Sequence, residues 1–168
     1  AGPTLAEAVL SAIYEVVERD AFLIAWLNRL PGGRHDATSH PDPEVRQLAL
    51  SYQRRGVDLA LFKLPTDHPI TVFVGIAFQK DGYGGPYATV GLGANLDPLA
   101  ASRAAALEVG QVRPAFRERC RTNADAVARI AELRDNPAAV KTLEDHALLY
   151  ADPAMAFAFE FLEGERVE

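Results

Sequence analysis

A set of short β-type runs enclosed between two long helical patterns constrains this chain more than any other feature. Val57–Leu64 and residues 70–79 are rich in apolar and β-branched side chains, and Pro65-Thr66-Asp67-His68-Pro69 separates them, so they read as strands flanking a turn. Asp81-Gly82-Tyr83-Gly84-Gly85-Pro86 is the strongest turn signal in the chain and closes a hairpin between 70–79 and 87–92. On the N-terminal side, Thr4-Leu5-Ala6-Glu7 forms a capping box that starts a long helix. Leu10, Ile13, Val17, Ile24 and Leu27 recur on one stripe of it, and Pro31-Gly32-Gly33 stops it.

Residues 34–40 read as a polar loop, and Asp42-Pro43 starts a second helix running to about Gly56. Asp97-Pro98 repeats that start, and an alanine-rich helix follows, disturbed at Pro114. The last third is helical by pattern: about 125–134, then 138–150, then 154–162. Helices before and after a short set of strands define an α+β class, an antiparallel β-sheet with packed long helices.

Composition narrows the function classes. The chain has 168 residues, 49% of them hydrophobic and 24% charged, which suits one globular domain and excludes intrinsic disorder. Its 17 Lys+Arg against 23 Asp+Glu give a net charge of −6, which argues against a nucleic-acid partner held by overall phosphate attraction. No apolar run approaches the roughly 20 residues that span a bilayer, so no membrane partner is expected. The single cysteine, Cys120, fits a reducing, cytoplasmic setting. The only methionine is Met155, so Ala1 is not an ordinary translation start and the chain reads as a fragment.

Glu15 and Glu18 stand three apart on the first helix, about 60° from each other around its axis, on a face roughly opposite the Leu10/Ile13/Val17 stripe. Glu108 and Gln111 repeat that spacing on the later helix, with Gly110 between them. Facing helices would offer four oxygen ligands to a hard divalent cation such as Mg2+, against which the ordinary reading is two solvated acidic faces. Arg19 and Arg103 lie within about two turns of these oxygens on their helices. Arg113, Arg117 and Arg121 lie four apart, able to track phosphates or an acidic peptide, or simply to form a solvated face. The segment 91–96 reads as a turn leading into a helix N-terminus, where Asn95 could touch a phosphate. His146 beside Asp145 has a structural role by default and an Asp-supported acid/base role as the minority reading.

The first block, Thr4 to Ala21 with Glu15, Glu18 and Arg19, resembles one signature helix of the YcaO family. The second, Asp97 to Arg113 with Arg103, Glu108 and Gln111, resembles the other, and Asp145-His146 with Leu149-Tyr150 resembles a later segment of its azoline-forming cyclodehydratase branch. The resemblance spans most of the chain and makes residues 1–168 part of one ATP-binding domain, with flanks on both sides missing. It implies a YcaO-like fold and ATP- and Mg2+-dependent activation of a peptide backbone amide. A Cys, Ser or Thr side chain attacks the preceding carbonyl, the oxygen is phosphorylated, and loss of phosphate leaves a thiazoline or oxazoline.

By motif, Glu15, Glu18, Glu108 and Gln111 hold Mg2+, Ser11, Arg19 and Arg103 lie at the nucleotide, and no protein nucleophile is required. The implied partners are a ribosomally made precursor peptide and a leader-peptide-binding E1-like protein. Self-association through apolar surface left by missing flanks is a further expectation. Thioamide formation, or a non-catalytic peptide-binding scaffold of the same fold, are the alternatives. Because the family's nucleotide site also draws on flanking residues, the 168 residues alone are expected to bind ATP weakly or not at all.

Overall fold

The computed structural model describes residues 3–79 and 85–164. Four strands, β1 (Gly33–Asp36), β2 (Val57–Leu64), β3 (Thr71–Gln79) and β4 (Ala88–Asn95), form one antiparallel sheet in the order β1-β2-β3-β4. Each connection in β2-β3-β4 is too short for a crossover, which leaves only antiparallel pairing. Val57 pairs with Gln79, and Phe78 with Ala88. Residues 81–84 of the expected turn at 81–86 lie outside the described residues, and the two strands it was expected to join pair antiparallel. The α+β class with long packed helices stands.

Both sheet faces are covered, which explains why β2 and β3 read as near-continuous apolar runs rather than as alternations. One face presents Ala60, Phe62, Val72, Val74, Ile76 and Ala94 to α1 (Leu5–Asn28) and to a 3-10 segment, Pro153–Glu163. The other presents Leu59, Leu61, Phe73 and Ala77 to α2 (Pro43–Gln53) and α3 (Pro98–Thr122). Removing one such fully buried side chain from water stabilises the fold by about 1.5–3 kcal/mol. A third cluster joins α4 (Ala124–Asp135) to α5 (Leu143–Leu149) through Leu133, Leu148 and Met155.

Local signals set most boundaries. Thr4 and Glu7 form the capping box of α1, and its C-cap is Arg29 in the left-handed region, at φ 52°. Asp42 and Asp97 cap α2 and α3 ahead of their prolines. α3 passes through Pro114 without ending; the carbonyl that loses its partner is that of Gly110.

Several expectations change. The loop at 34–40 is an edge strand followed by a 3-10 turn, Ala37–Ser39, because the Asp36 carboxylate accepts from the Thr38 amide and starts that turn. The helix at 138–150 is a 3-10 turn, Pro137–Ala139, and then the short α5, because Thr142 and Asp145 form a second capping box that starts the helix late. The helix at 154–162 is a 3-10 run. Segment 91–96 is mostly β4 rather than a turn: a side chain at Gly93 would overlap the Ala101 carbonyl and the Ala105 amide, so its glycines let α3 lie directly on the strand.

The α1 stripe also rotates. Leu10, Ile13, Ile24 and Leu27 are exposed, whereas Ser11, Tyr14, Glu18, Ala21 and Ala25 turn toward the sheet. Large side chains at the first set gave the stronger hydrophobic signal, but only small ones at 21 and 25 allow close approach to β-strands. Trp26 anchors the end of α1 among Tyr150, Phe159 and Phe161, with ring centroids 5.3, 5.5 and 5.4 Å away.

Candidate metal and nucleotide site

β4 is one of the two edge strands of the sheet among the described residues, with α1 against one face and α3 against the other. A carboxylate from each helix reaches its outer margin. The Leu92 amide donates a short hydrogen bond to the Glu108 carboxylate, and Glu18 interacts with the backbone at Ala94, two residues along the same strand. Amides two apart on a strand point the same way, so both carboxylates meet one row of edge donors.

Their proximity has an electrostatic consequence. Burial, then the negative charge of Glu108, push the Glu18 carboxyl up to about 7, with Arg19 and the Ala94 backbone pulling the other way and Glu15 adding to the rise. A carboxyl perturbed by burial and a neighbouring like charge marks a functional-site candidate, and a cation would relieve the repulsion.

The remaining motif residues are placed less tightly. Glu15 is turned to Arg19, with an oxygen 2.9 Å from the guanidinium, both on the exposed side of α1. Ser11 is half-buried, two turns before Glu18 on the same stripe, and Gln111 is exposed one turn beyond Glu108. Arg103 is bound by the carboxylates of Asp42, at 3.0 Å, and Glu44 at the start of α2; it lies five residues, about 140°, from Glu108 around α3. The Asn95 side chain accepts from the Asp97 amide at 3.0 Å and so helps turn the chain from β4 into α3. Glu18 and Glu108 are therefore brought together, and no group of three or more His, Cys, Asp or Glu residues is gathered around one metal position among the described residues.

Other candidates resolve differently. Asp145 supports Arg129, not His146: its oxygens accept from Arg129 Nε at 2.8 Å and Nη2 at 3.0 Å, and from the Lys141 and Thr142 amides. The Arg129 guanidinium holds that carboxyl far below the usual carboxylate range. His146 is exposed, so the acid/base dyad does not form. The arginine stripe splits: Arg113 is buried, Arg121 pairs with Glu118 at 3.0 Å, and Arg117 stays exposed. Burial raises the Cys120 thiol, the opposite of an activated nucleophile. Sequence reasoning missed the edge amides of Leu92 and Ala94; the paired glycines at 91 and 93, which let α3 press close to β4, were the available signal.

An α+β sheet flanked by two signature helices, with a glutamate from each meeting at one strand margin, is the arrangement that the comparisons bear on. The chain belongs to the YcaO family: the model described as YcaO cyclodehydratase, ATP- and Mg2+-binding, matches residues 1–167. A protein of Rhizobium leguminosarum bv. trifolii, an uncharacterized protein in the tfuA 3′ region, is 32% identical over 120 residues, covering 67% of this chain and 29% of that protein.

Among solved structures, the heterocyclase TruD shares 32% identity at a TM-score of 0.60, over 92% of this chain and 20% of that one. A heterocyclase in complex with substrate and cofactor gives 29% and 0.71, over 100% and 20%. YcaO from Methanopyrus kandleri bound with AMPPCP and Mg2+ gives 28% and 0.58, over 70% and 31%. The chain thus spans less than a third of the length of each of these proteins.

Proposed function

We propose that this chain carries metal-binding helices of an ATP- and Mg2+-dependent YcaO enzyme that activates backbone amides of a precursor peptide and forms azolines from its Cys, Ser or Thr residues. One observation carries the reading most: Glu18 and Glu108, from the two signature helices, share a strand margin, where burial and then the negative charge of Glu108 raise Glu18 to about 7. Without a cation to bind, that arrangement only costs stability. The family model and the heterocyclase likenesses support the reaction class.

In this reading Glu18 and Glu108 hold Mg2+, and Glu15 and Gln111 complete the set, Glu15 by leaving Arg19. Mg2+ supplies neutralisation of phosphate charge. Arg19, once released from Glu15, faces the nucleotide with Ser11. Arg103 reaches it only by exchanging Asp42 and Glu44 for phosphate, and Asn95 would act from the end of β4. The chain's contribution is positioning and electrostatics. The enzyme works on its peptide together with a leader-binding E1-like partner in the cytoplasm.

The test is peptide-dependent phosphate release by the complete protein, with mass spectrometry of the peptide for loss of water. Glu18→Gln and Glu108→Gln should each reduce turnover by roughly 10- to 100-fold or more. Unchanged turnover in both would overturn the ligand assignment, and exchange of oxygen for sulfur in place of water loss would overturn the azoline chemistry.

A further inference from the structure

On another part of the molecule, the C-terminal end of α2, the start of β2, the end of β3 and the second half of α3 enclose an open cleft of about 820 Å3. Tyr52, Arg54, Arg55, Gln79, Arg113 and Arg117 line it, and none of its described lining residues is acidic. It shares no residue with the Glu18/Glu108 site. In a chain of net charge −6, four guanidinium groups around one cleft make a sharp local reversal of sign.

The base of the cleft is a buried cation, Arg113, with no carboxylate paired to it among the described residues. Arg113 is 3% exposed, and its Nη1 donates to Thr89 Oγ1 at 3.0 Å and to the Pro86 carbonyl at 3.3 Å, while Nη2 donates to Gln79 Oε1 at 2.9 Å. Its guanidinium carbon lies 5.9 Å from the Tyr52 ring centre. Every one of these partners is neutral, so they orient the positive charge without cancelling it, and burial disfavours it. Above it, Arg117 lies along Gly85, and among the described residues neither it nor Arg54 nor Arg55 is ion-paired; the Arg55 guanidinium donates to the Ser51 hydroxyl at 3.2 Å.

We infer that this cleft binds an acidic segment of a peptide, with successive side-chain carboxylates taken by Arg54, Arg55 and Arg117 over the fixed charge of Arg113. Guanidinium groups from two separate elements, spread over a cleft of ligand-site size, suit several anionic groups along an extended chain better than one compact anion. The inference rests on the proposed function, in which the substrate is a peptide, and it gives that peptide a second anchoring point away from the metal site.

The probe is a fluorescein-labelled peptide of alternating Asp and Ser, titrated against the protein by anisotropy with neither ATP nor Mg2+ present. The expected result is saturable binding that weakens as salt rises, no binding of the Asn counterpart, and at least about tenfold weaker binding by the exposed-site double variant Arg54→Glu/Arg117→Glu with an unchanged circular dichroism spectrum. Absence of saturable binding by the unsubstituted protein overturns the inference, as do equal binding of the Asn peptide, indifference to charge reversal, and preferential displacement by pyrophosphate or by single-stranded poly(U). Because nothing in this titration depends on Glu18 or Glu108, its failure is separable from failure of the metal-site reading.

Discussion

Glu18 on α1 and Glu108 on α3 reach the same margin of β4 from opposite faces of the sheet, one at the Ala94 backbone and the other on the Leu92 amide. The sheet is what joins two helices that do not themselves form the core of one bundle. Their charges are close enough for Glu108 to be the second contributor, after burial, to the raised carboxyl of Glu18.

Mg2+ should bind more tightly as pH rises from about 6 to 8, because a cation competes with the proton that Glu18 holds with a value of about 7. Calorimetric titration of Mg2+ with ATP at several pH values checks this. In Glu18→Gln the pH dependence over that interval should flatten and the affinity fall.

Stability should move the other way. The folded Glu18 value lies above the ordinary 4.5, so its protonated form supports the fold fully below about 4.5, and that contribution is lost as pH rises through about 7. Glu18→Gln should therefore raise the melting temperature at pH 8 while leaving it little changed at pH 5. His40 opposes this trend: burial lowers its value, so its contribution is present above 6.5 and is lost as pH falls. Thermal melts of the variant across pH, followed by the single Trp26, separate the two.

Gly93→Ala should be among the most damaging single-methyl additions in the chain. The new Cβ would overlap backbone atoms of Ala101 and Ala105, and backbone cannot yield as a side-chain tip can. Overpacking of this kind costs about 1–3 kcal/mol or more, and it would displace Glu108 as well. Urea unfolding measures the first effect and Mg2+ affinity the second.

Asp145→Asn should lower the melting temperature by several degrees, since it breaks the two-point contact with Arg129 and weakens the cap of α5. His146→Ala should leave both stability and turnover near those of the unsubstituted protein. A large loss of turnover in His146→Ala would restore the acid/base reading.

Much of this was legible in the sequence where one local rule acts alone. Thr4/Glu7, Asp42-Pro43 and Asp97-Pro98 fixed three helix starts through caps, and β-branched runs marked β2 and β3. The misses arise where tertiary contact overrides pattern. Leu10 and Leu27 looked like the buried stripe of α1, but Ala21 and Ala25 are what the sheet can accept. Residues 34–40 look polar because β1 is an exposed edge held by pairing with β2, for instance His35 with Leu61, rather than by burial. At the site, the glutamate spacing was readable, yet which glutamates meet depends on β4 lying between the helices. The buried Arg113 could not be separated from its exposed neighbours Arg117 and Arg121 by spacing alone.

The Leu92–Glu108 hydrogen bond also bears on solubility. β4, with glycines at 91 and 93, is a smooth outer ribbon of the kind that invites a strand from another molecule. A carboxylate seated on its amide occupies the docking position and brings a charge with it. Glu108→Ala should therefore cause concentration-dependent association even where no nucleotide chemistry is being asked of the chain.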